Sequence, residues 1–246
     1  MKLKNKTVAI TGVTGGMGRE LVRALDKEGV KFILISKTEA ELENLSKTLK
    51  NKNNKYFACD FTKQEDVLGL CSDINKEFES VDVLINLAGI GIYKPLEEAS
   101  LEEWNNSLNI GVTASFILTK GIIGLLKRSK DSLVVNLSSG AGVIPMAGRS
   151  LYCTMKFALR GLTLSLAEEF KRTKPSFCLI TLGSVLTSFG PMSLEEKKEK
   201  ELRGTAYFTP EWVPTKLVEI IKDDNRKVEY TMYPGDYSFG WQKNPQ

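Results

Sequence analysis

Short apolar runs alternate with stretches of helical periodicity along the whole chain. Thr7–Ile10, Phe32–Ile35, Tyr56–Ala58, Val81–Ile85, Leu133–Leu137, Phe177–Leu182 and Val228–Met232 are brief and rich in apolar residues, the pattern of strands buried on both faces of a sheet. Between them lie helix-period segments from Arg19 to Leu25, around Leu42, Leu45 and Leu49, and from Val67 to Phe78. Further ones run from Leu101 to Leu126, from Tyr152 to about Lys171, and from Glu211 to Ile221. Capping boxes are expected at Thr38/Glu41, Thr62/Glu65, Ser100/Glu103 and Ser193/Glu196, where a hydroxyl precedes a glutamate by three residues. Thr209-Pro210 offers an N-cap ahead of a proline at the first helical position. Strands and helices alternating at this spacing predict βαβ units. The expected fold is one doubly wound α/β domain over residues 1–246, with a mostly or fully parallel sheet of about seven strands.

Composition narrows the function. An apolar content of 42% and a charged content of 26% are ordinary for a soluble globular protein. The net charge of +4 is mild and dispersed, so no nucleic-acid partner is expected. The chain has no histidine, which removes Ser-His-Asp and Cys-His catalysis and makes a zinc centre improbable; no metal site is expected. Cys59, Cys71, Cys153 and Cys178 show no CxxC spacing and read as small buried hydrophobes in a reducing compartment. The segment from Met1 into the first apolar run imitates a signal peptide, but its apolar part is short and runs into glycines and Arg19-Glu20. Phe116 to Leu126 is interrupted by Lys120 and falls short of a membrane span. A cytoplasmic protein with no membrane association is the expectation.

The candidate chemistry lies in two places. Tyr152 and Lys156 are four apart, which stacks a phenol and an ammonium on one helical face. At roughly 4 Å and an effective dielectric of about 20, their attraction is about 4 kcal/mol, or roughly three pKa units. That would bring the phenol close to working pH as an acid–base catalyst. A partly buried Tyr beside a solvated Lys on an ordinary amphipathic helix is the bland alternative. Gly12, Gly16 and Gly18 occupy the first strand–helix turn with TGxxxGxG spacing. There, glycine lets the backbone approach a pyrophosphate at a helix N-terminus, although a structural turn without a ligand fits the same residues.

TGVTGGMG at 11–18, Asn86-Leu-Ala-Gly89, Asn109-Ile-Gly111, Ser139 and Tyr152-x-x-x-Lys156 together resemble the short-chain dehydrogenases/reductases in order and spacing, over nearly the whole chain. The resemblance implies a Rossmann-type fold and assigns roles. Tyr152 would be the general acid in carbonyl reduction. Lys156 would lower its pKa and bond the nicotinamide ribose. Ser139 would hold the substrate oxygen, and Asn109 would anchor a water linking Lys156 to solvent. Asn109 and Gly111 are also poor helix formers inside a long helix, which marks a functional position independently. The cofactor would be held by Gly12, Gly16, Met17, Gly18, Ser36, Lys37, Asp60, Asn86, Ala88, Gly89 and Thr187, together with Tyr152 and Lys156. Asp60 would meet the adenine and Thr187 the carboxamide. Asn86-Leu-Ala-Gly89 stands where the family has Asn-Asn-Ala-Gly, and Leu182-Gly183 where it has Pro-Gly.

NAD-specific members carry an acid at the end of the second strand; this chain has Ser36 and then Lys37. A hydroxyl and an ammonium attract a 2′-phosphate, so NADP(H) is expected over NAD(H), although Gly15 stands where many NADP-binding relatives are basic. The substrate, a small carbonyl or alcohol compound, is expected above Tyr152 among the loops Ile90–Tyr93 and Val143–Met146 and the segment after Thr187. Residues 188–208 would be a lid that includes the charged run Ser193–Arg203. The aromatic tail Tyr230, Tyr233, Tyr237, Phe239 and Trp241 is expected to pack on the domain. A homodimer or homotetramer would form through the helices at 101–126 and 152–171. The expected activity is NADPH-dependent carbonyl reduction. Alternatives are reduction of a 3-oxoacyl group on a carrier protein docked at Arg149, Lys171 and Arg172, and a non-catalytic NADP-binding regulator.

Overall fold

A computed structural model describes residues 1–239 and turns the apolar runs into one seven-stranded sheet. In chain order the elements are β1 (Thr7–Thr11), α1 (Gly16–Lys27), β2 (Lys31–Ser36), α2 (Glu39–Lys47), β3 (Lys55–Ala58), α3 (Gln64–Glu77) and β4 (Val83–Asn86). Then come α4 (Leu101–Leu108), a π turn (Asn109–Thr113), α5 (Ala114–Gly121), α6 (Ile123–Arg128), β5 (Leu133–Ser139) and α7 (Ser150–Glu169). β6 (Ser176–Leu182), α8 (Leu194–Leu202), α9 (Trp212–Lys222) and β7 (Glu229–Met232) complete the set.

All neighbouring strands are parallel, in the order β3-β2-β1-β4-β5-β6-β7. Successive strand residues face opposite sides. Val8, Ile10, Phe32, Leu34 and Ile180 join the core beneath α1, α2 and α9, whereas Ala9, Ile33, Ile35, Leu84 and Val134 join the core beneath α3, α5 and α6. Because both faces are covered, the strands read as continuous apolar runs. Strand order reverses between β1 and β4, so the crevice beyond their carboxyl ends is the topological switch point where such sheets bind ligands. No helix among the described residues is long and apolar enough to cross a membrane.

Several local expectations are corrected. The helix expected over 101–126 is interrupted by the π turn and again at Ile122, whose φ of −108° and ψ of 14° end α5. Crowding accompanies the π turn: a Cβ on Gly111 would lie 1.8 Å from the Met155 sulfur of α7. Capping boxes form at Ser100/Glu103 and Ser193/Glu196, but not at Thr38, whose hydroxyl makes no cap bond. Thr62 is not a cap either: its hydroxyl and amide both bond Asp60, and α3 begins beyond Lys63. Thr209 accepts the Trp212 amide, yet Pro210 lies in a turn before α9 and Glu211 is the N-cap.

All four thiols are free and buried, and burial pushes Cys59 and Cys178 up to about 12 and Cys71 to about 11. The tail packs as expected. Trp212 stacks on Phe208 at 4.5 Å with Tyr237 and Phe239 edge-on, and Tyr230 lies against the core. Trp241 lies outside the described residues.

Candidate active site

The turn after β1 forms one wall of the crevice. Gly12 has φ +71°, and a Cβ there would come within 2.9 Å of the Ala88 backbone. The close contact sets the end of β1 against the end of β4. Thr11 reinforces it by accepting the amides of Leu87 and Ala88 at 3.0 and 3.1 Å, a role the sequence did not disclose. A Cβ on Gly18 would sit 2.3 Å from the Gly12 carbonyl oxygen. The N-cap of α1 is Gly15, so no side chain occupies the first amides of the helix, and these face an anion with the positive end of the helix dipole. Met17 packs partly against the core, and Gly16 lies against Thr187, whose methyl is 3.3 Å from where a Cβ would be.

At the end of β2 the Ser36 hydroxyl is buried and shares a 2.6 Å hydrogen bond with Thr14. Lys37 is exposed and reaches Asp60 at 2.9 Å. Burial pushes the Asp60 carboxyl up, but the Lys37 ammonium and the Thr62 hydroxyl and amide outweigh it, leaving Asp60 at about 2. The two expected cofactor residues are thus ion-paired to each other. At the end of β4, Asn86 is buried and donates to Asn136 at 2.7 Å, which donates to Thr163. Its amide braces β4, β5 and α7 from inside the sheet. Gly89 lies beside Lys156, whose ammonium is 3.6 Å from where a Cβ would be.

The acid–base group is assembled by β5 and α7. Ser138 donates to the Lys156 carbonyl at 3.3 Å, tying strand to helix. Ser139, the last residue of β5, and Tyr93 both flank the Tyr152 hydroxyl and bias its proton, Ser139 toward release and Tyr93 against it. Tyr152 is buried, with the Tyr93 ring edge-on at 5.2 Å and the Phe189 ring at 6.0 Å. The Arg149 guanidinium lies over Tyr93, 4.4 Å from its centroid.

Lys156 is also buried, but it does not do what the spacing predicted. Its ammonium donates to the Leu137 carbonyl at 2.8 Å and sits 5.8 Å from the Tyr152 ring centre. Burial pushes Tyr152 up, Tyr93 adds to this, and the Ser139 bond and the Arg149 charge do not offset it. The expected fall in the Tyr152 pKa is therefore corrected to a rise. Lys156 itself is pushed down by burial to about 8. A phenol raised in this way carries its proton at neutral pH, but its pKa lies further from working pH than that of an optimal acid–base catalyst.

Asn109 begins the π turn. Its amide donates to the Thr62 carbonyl at 3.1 Å and accepts from Gln64, so it braces the start of α3 on the Asp60 side. π turns recur at functional positions. The loop ending at Tyr93 and the segment after Thr187 meet at Tyr152 as expected, through the Tyr93 and Phe189 rings, whereas Lys197 is a site-forming residue that the sequence did not single out. Lys197 in particular sits within a run of charges that gives no sign of its burial.

Residues 6–198 match the short chain dehydrogenase family. A 3-oxoacyl-(acyl-carrier-protein) reductase of Buchnera aphidicola is 29% identical over 188 residues, 76% of this chain and 77% of the relative. Among solved structures, an alcohol dehydrogenase from the archaeon Thermococcus sibiricus, complexed with 5-hydroxy-NADP, matches with a TM-score of 0.81 at 24% identity, covering 99% of this chain and 100% of that one. A short chain dehydrogenase/reductase from Burkholderia phymatum in complex with NAD matches with a TM-score of 0.79 at 20% identity, covering 93% and 90%.

Proposed function

The chain belongs to the short-chain dehydrogenase family, and from that premise we propose that it reduces a ketone or aldehyde to an alcohol with NADPH, Tyr152 giving the proton. One observation carries the reading: at the ligand crevice the Tyr152 hydroxyl is flanked by Ser139 and kept protonated by burial. A nicotinamide dinucleotide fits the residues present. The amides opening α1 carry no side-chain cap, and the turn leading to them is bare of side chains at Gly15 and Gly16, as a diphosphate requires. When bound, the nicotinamide supplies the hydride. Gly12, Gly16, Met17 and Gly18 would hold the diphosphate, Asp60 the adenine, Ala88 and Gly89 the nucleoside beside β4, and Thr187 the carboxamide, with Asn86 fixing the β4 end.

In this reading Ser139 holds the carbonyl oxygen while Tyr152 donates its proton to it. Donation leaves Tyr152 as a phenolate, and Lys156, whose ammonium is held by the Leu137 carbonyl, fixes the ribose. Asn109 holds open the water path by which that phenolate regains its proton. Preference for NADPH rests on Ser36 and Lys37: there is no carboxylate at the end of β2, and the Lys37 ammonium is free enough to turn from Asp60 toward a 2′-phosphate. Residues 188–208 act as the substrate lid. Trp104, Phe116 and Phe157 stay exposed on α4, α5 and α7, which supports a homodimer or homotetramer through those helices. The buried free thiols suit a reducing, cytoplasmic compartment.

Reduction of a carrier-bound 3-oxoacyl group is the second reading, favoured by the Buchnera relative. Of the basic residues it invokes, only Arg149 lies by Tyr152. Lys171 and Arg172 lie past the far end of the 20-residue α7, about 30 Å away at 1.5 Å per residue. A non-catalytic regulator would have no need of the Ser139–Tyr152 pair. NADPH oxidation over a panel of free carbonyl compounds and a 3-oxoacyl thioester, wild type beside Tyr152→Phe, separates these. The expected outcome is turnover that falls by about 10²–10⁴-fold in the variant. Unchanged turnover in Tyr152→Phe removes the mechanism, and tight NADPH binding without turnover on any carbonyl favours the regulator.

A further inference from the structure

Helix α8 reads LEEKKEKEL and is charged along most of its length, yet one of its cations is buried. Lys197 is 5% exposed. Its ammonium donates to the backbone carbonyls of Thr187, at 2.7 Å, and of Phe189. Both acceptors belong to the short segment that leaves β6 and leads into the lid. Their side chains reach the two halves of the site. The Thr187 methyl abuts Gly16 in the turn before α1, and the Phe189 ring lies 6.0 Å from the Tyr152 ring. Phe189 also presses on Gly91, where an added Cβ would come within 3.0 Å of the ring, which joins the lid to the loop that carries Tyr93.

A buried lysine is costly to maintain, and the hydrogen bonds described for this one all go to main-chain oxygens. Such bonds require a backbone shape rather than a neighbouring side chain. The ammonium can make both only while residues 187–189 curl around it. Opening the lid would take Lys197 from these acceptors and into water, where it is well solvated. The same movement would free Phe189 from Tyr152 and Thr187 from Gly16.

We propose that Lys197 is the latch of the substrate lid: a positioning residue that couples α8 to Thr187 at the cofactor turn and to Phe189 at Tyr152, so that one ammonium closes both halves of the site together. The inference rests on the function proposed above for the roles of Thr187 and Tyr152, whereas the latch itself can be judged without turnover. Lys197→Met keeps the length and removes the donor, and Lys197→Arg restores a cation with several donors. Trypsin can still cut the lid after Lys198, Lys200 and Arg203, and its rate follows the open population.

With thermal unfolding confirming that each variant is folded, Lys197→Met should be nicked in the lid about tenfold faster than wild type. It should also bind NADPH about tenfold more weakly by fluorescence titration, with KM for the carbonyl raised more than kcat is lowered. Lys197→Arg should recover part of the protection. Equal nicking rates in wild type and Lys197→Met overturn the latch. Faster nicking with unchanged NADPH affinity overturns the coupling and leaves Lys197 a local structural residue. A wild type whose lid protection depends on Lys197 but which turns over no carbonyl upholds the latch and refutes the proposed activity instead.

Discussion

Replacing Lys156 by methionine should abolish activity and make the protein more stable at neutral pH. The ammonium is buried, its hydrogen bond goes to the Leu137 carbonyl, and burial pushes its pKa from 10.5 to about 8. At about 1.36 kcal/mol per pKa unit, the charged form costs the folded state about 3 kcal/mol relative to the neutral amine. Methionine fills similar volume without a charge but leaves the Leu137 carbonyl short of one donor, a loss of about 1 kcal/mol. The net expectation at pH 7 is a gain of about 2 kcal/mol, which is about 4–8 °C in Tm for a chain of this size. The pH dependence has a definite sign. Below about 8 the lysine is charged in both folded and unfolded chains, so the whole cost is present. Between about 8 and 10.5 the unfolded chain holds the proton and the folded one does not, so wild-type stability rises with pH. The difference between variant and wild type should therefore shrink across that window and reverse near its upper end. Urea unfolding of both proteins at half-unit steps from pH 6 to 10.5, beside NADPH oxidation at pH 7, makes the comparison. A variant less stable than wild type at pH 7, or a stability difference that does not change between pH 8 and 10.5, refutes the claim that Lys156 is held at an electrostatic cost.

Two further substitutions test the cofactor side. Gly18→Ala would set a Cβ 2.3 Å from the Gly12 carbonyl and 2.8 Å from the Val13 Cα; both neighbours are backbone, so the turn must shift at a cost of about 1–3 kcal/mol. NADPH Kd and Tm should worsen together, and an unchanged Kd with lowered Tm would remove the turn from the binding site. Lys37→Ala releases Asp60 from its ion pair at 2.9 Å and should narrow the ratio of NADH to NADPH Kd by about tenfold, the loss of one phosphate contact of about 1.4 kcal/mol. An unaltered ratio in fluorescence titrations means that Lys37 does not read the cofactor.

The sheet and the crevice beyond its carboxyl ends were legible in the sequence. Central parallel strands covered on both faces favour apolar residues at most positions, so the seven runs stood out without any partner being known. Gly12 is required by a positive φ and by the backbone of Ala88, a constraint written directly into the residue type. The tertiary structure decided what the chain could not spell locally. Whether Thr62 caps a helix depended on Asp60 competing for its hydroxyl. Whether the 101–126 helix ran straight depended on the π turn at Asn109–Thr113, where Gly111 lies against Met155 of α7.

The four-residue spacing of Tyr152 and Lys156 put both on one helical face, but burial is a property of everything packed around them. Desolvation raised the tyrosine, and the expected attraction did not form, because the Lys156 ammonium is held by the Leu137 carbonyl instead. Lys197 is the extreme case: in the chain it is one cation among many, and in the fold it is a buried ammonium bonded to the main chain of residues 187–189. Periodicity records which side of an element faces inward. The energy of a charge depends on distances to groups far away in sequence, and those exist only once the chain has folded.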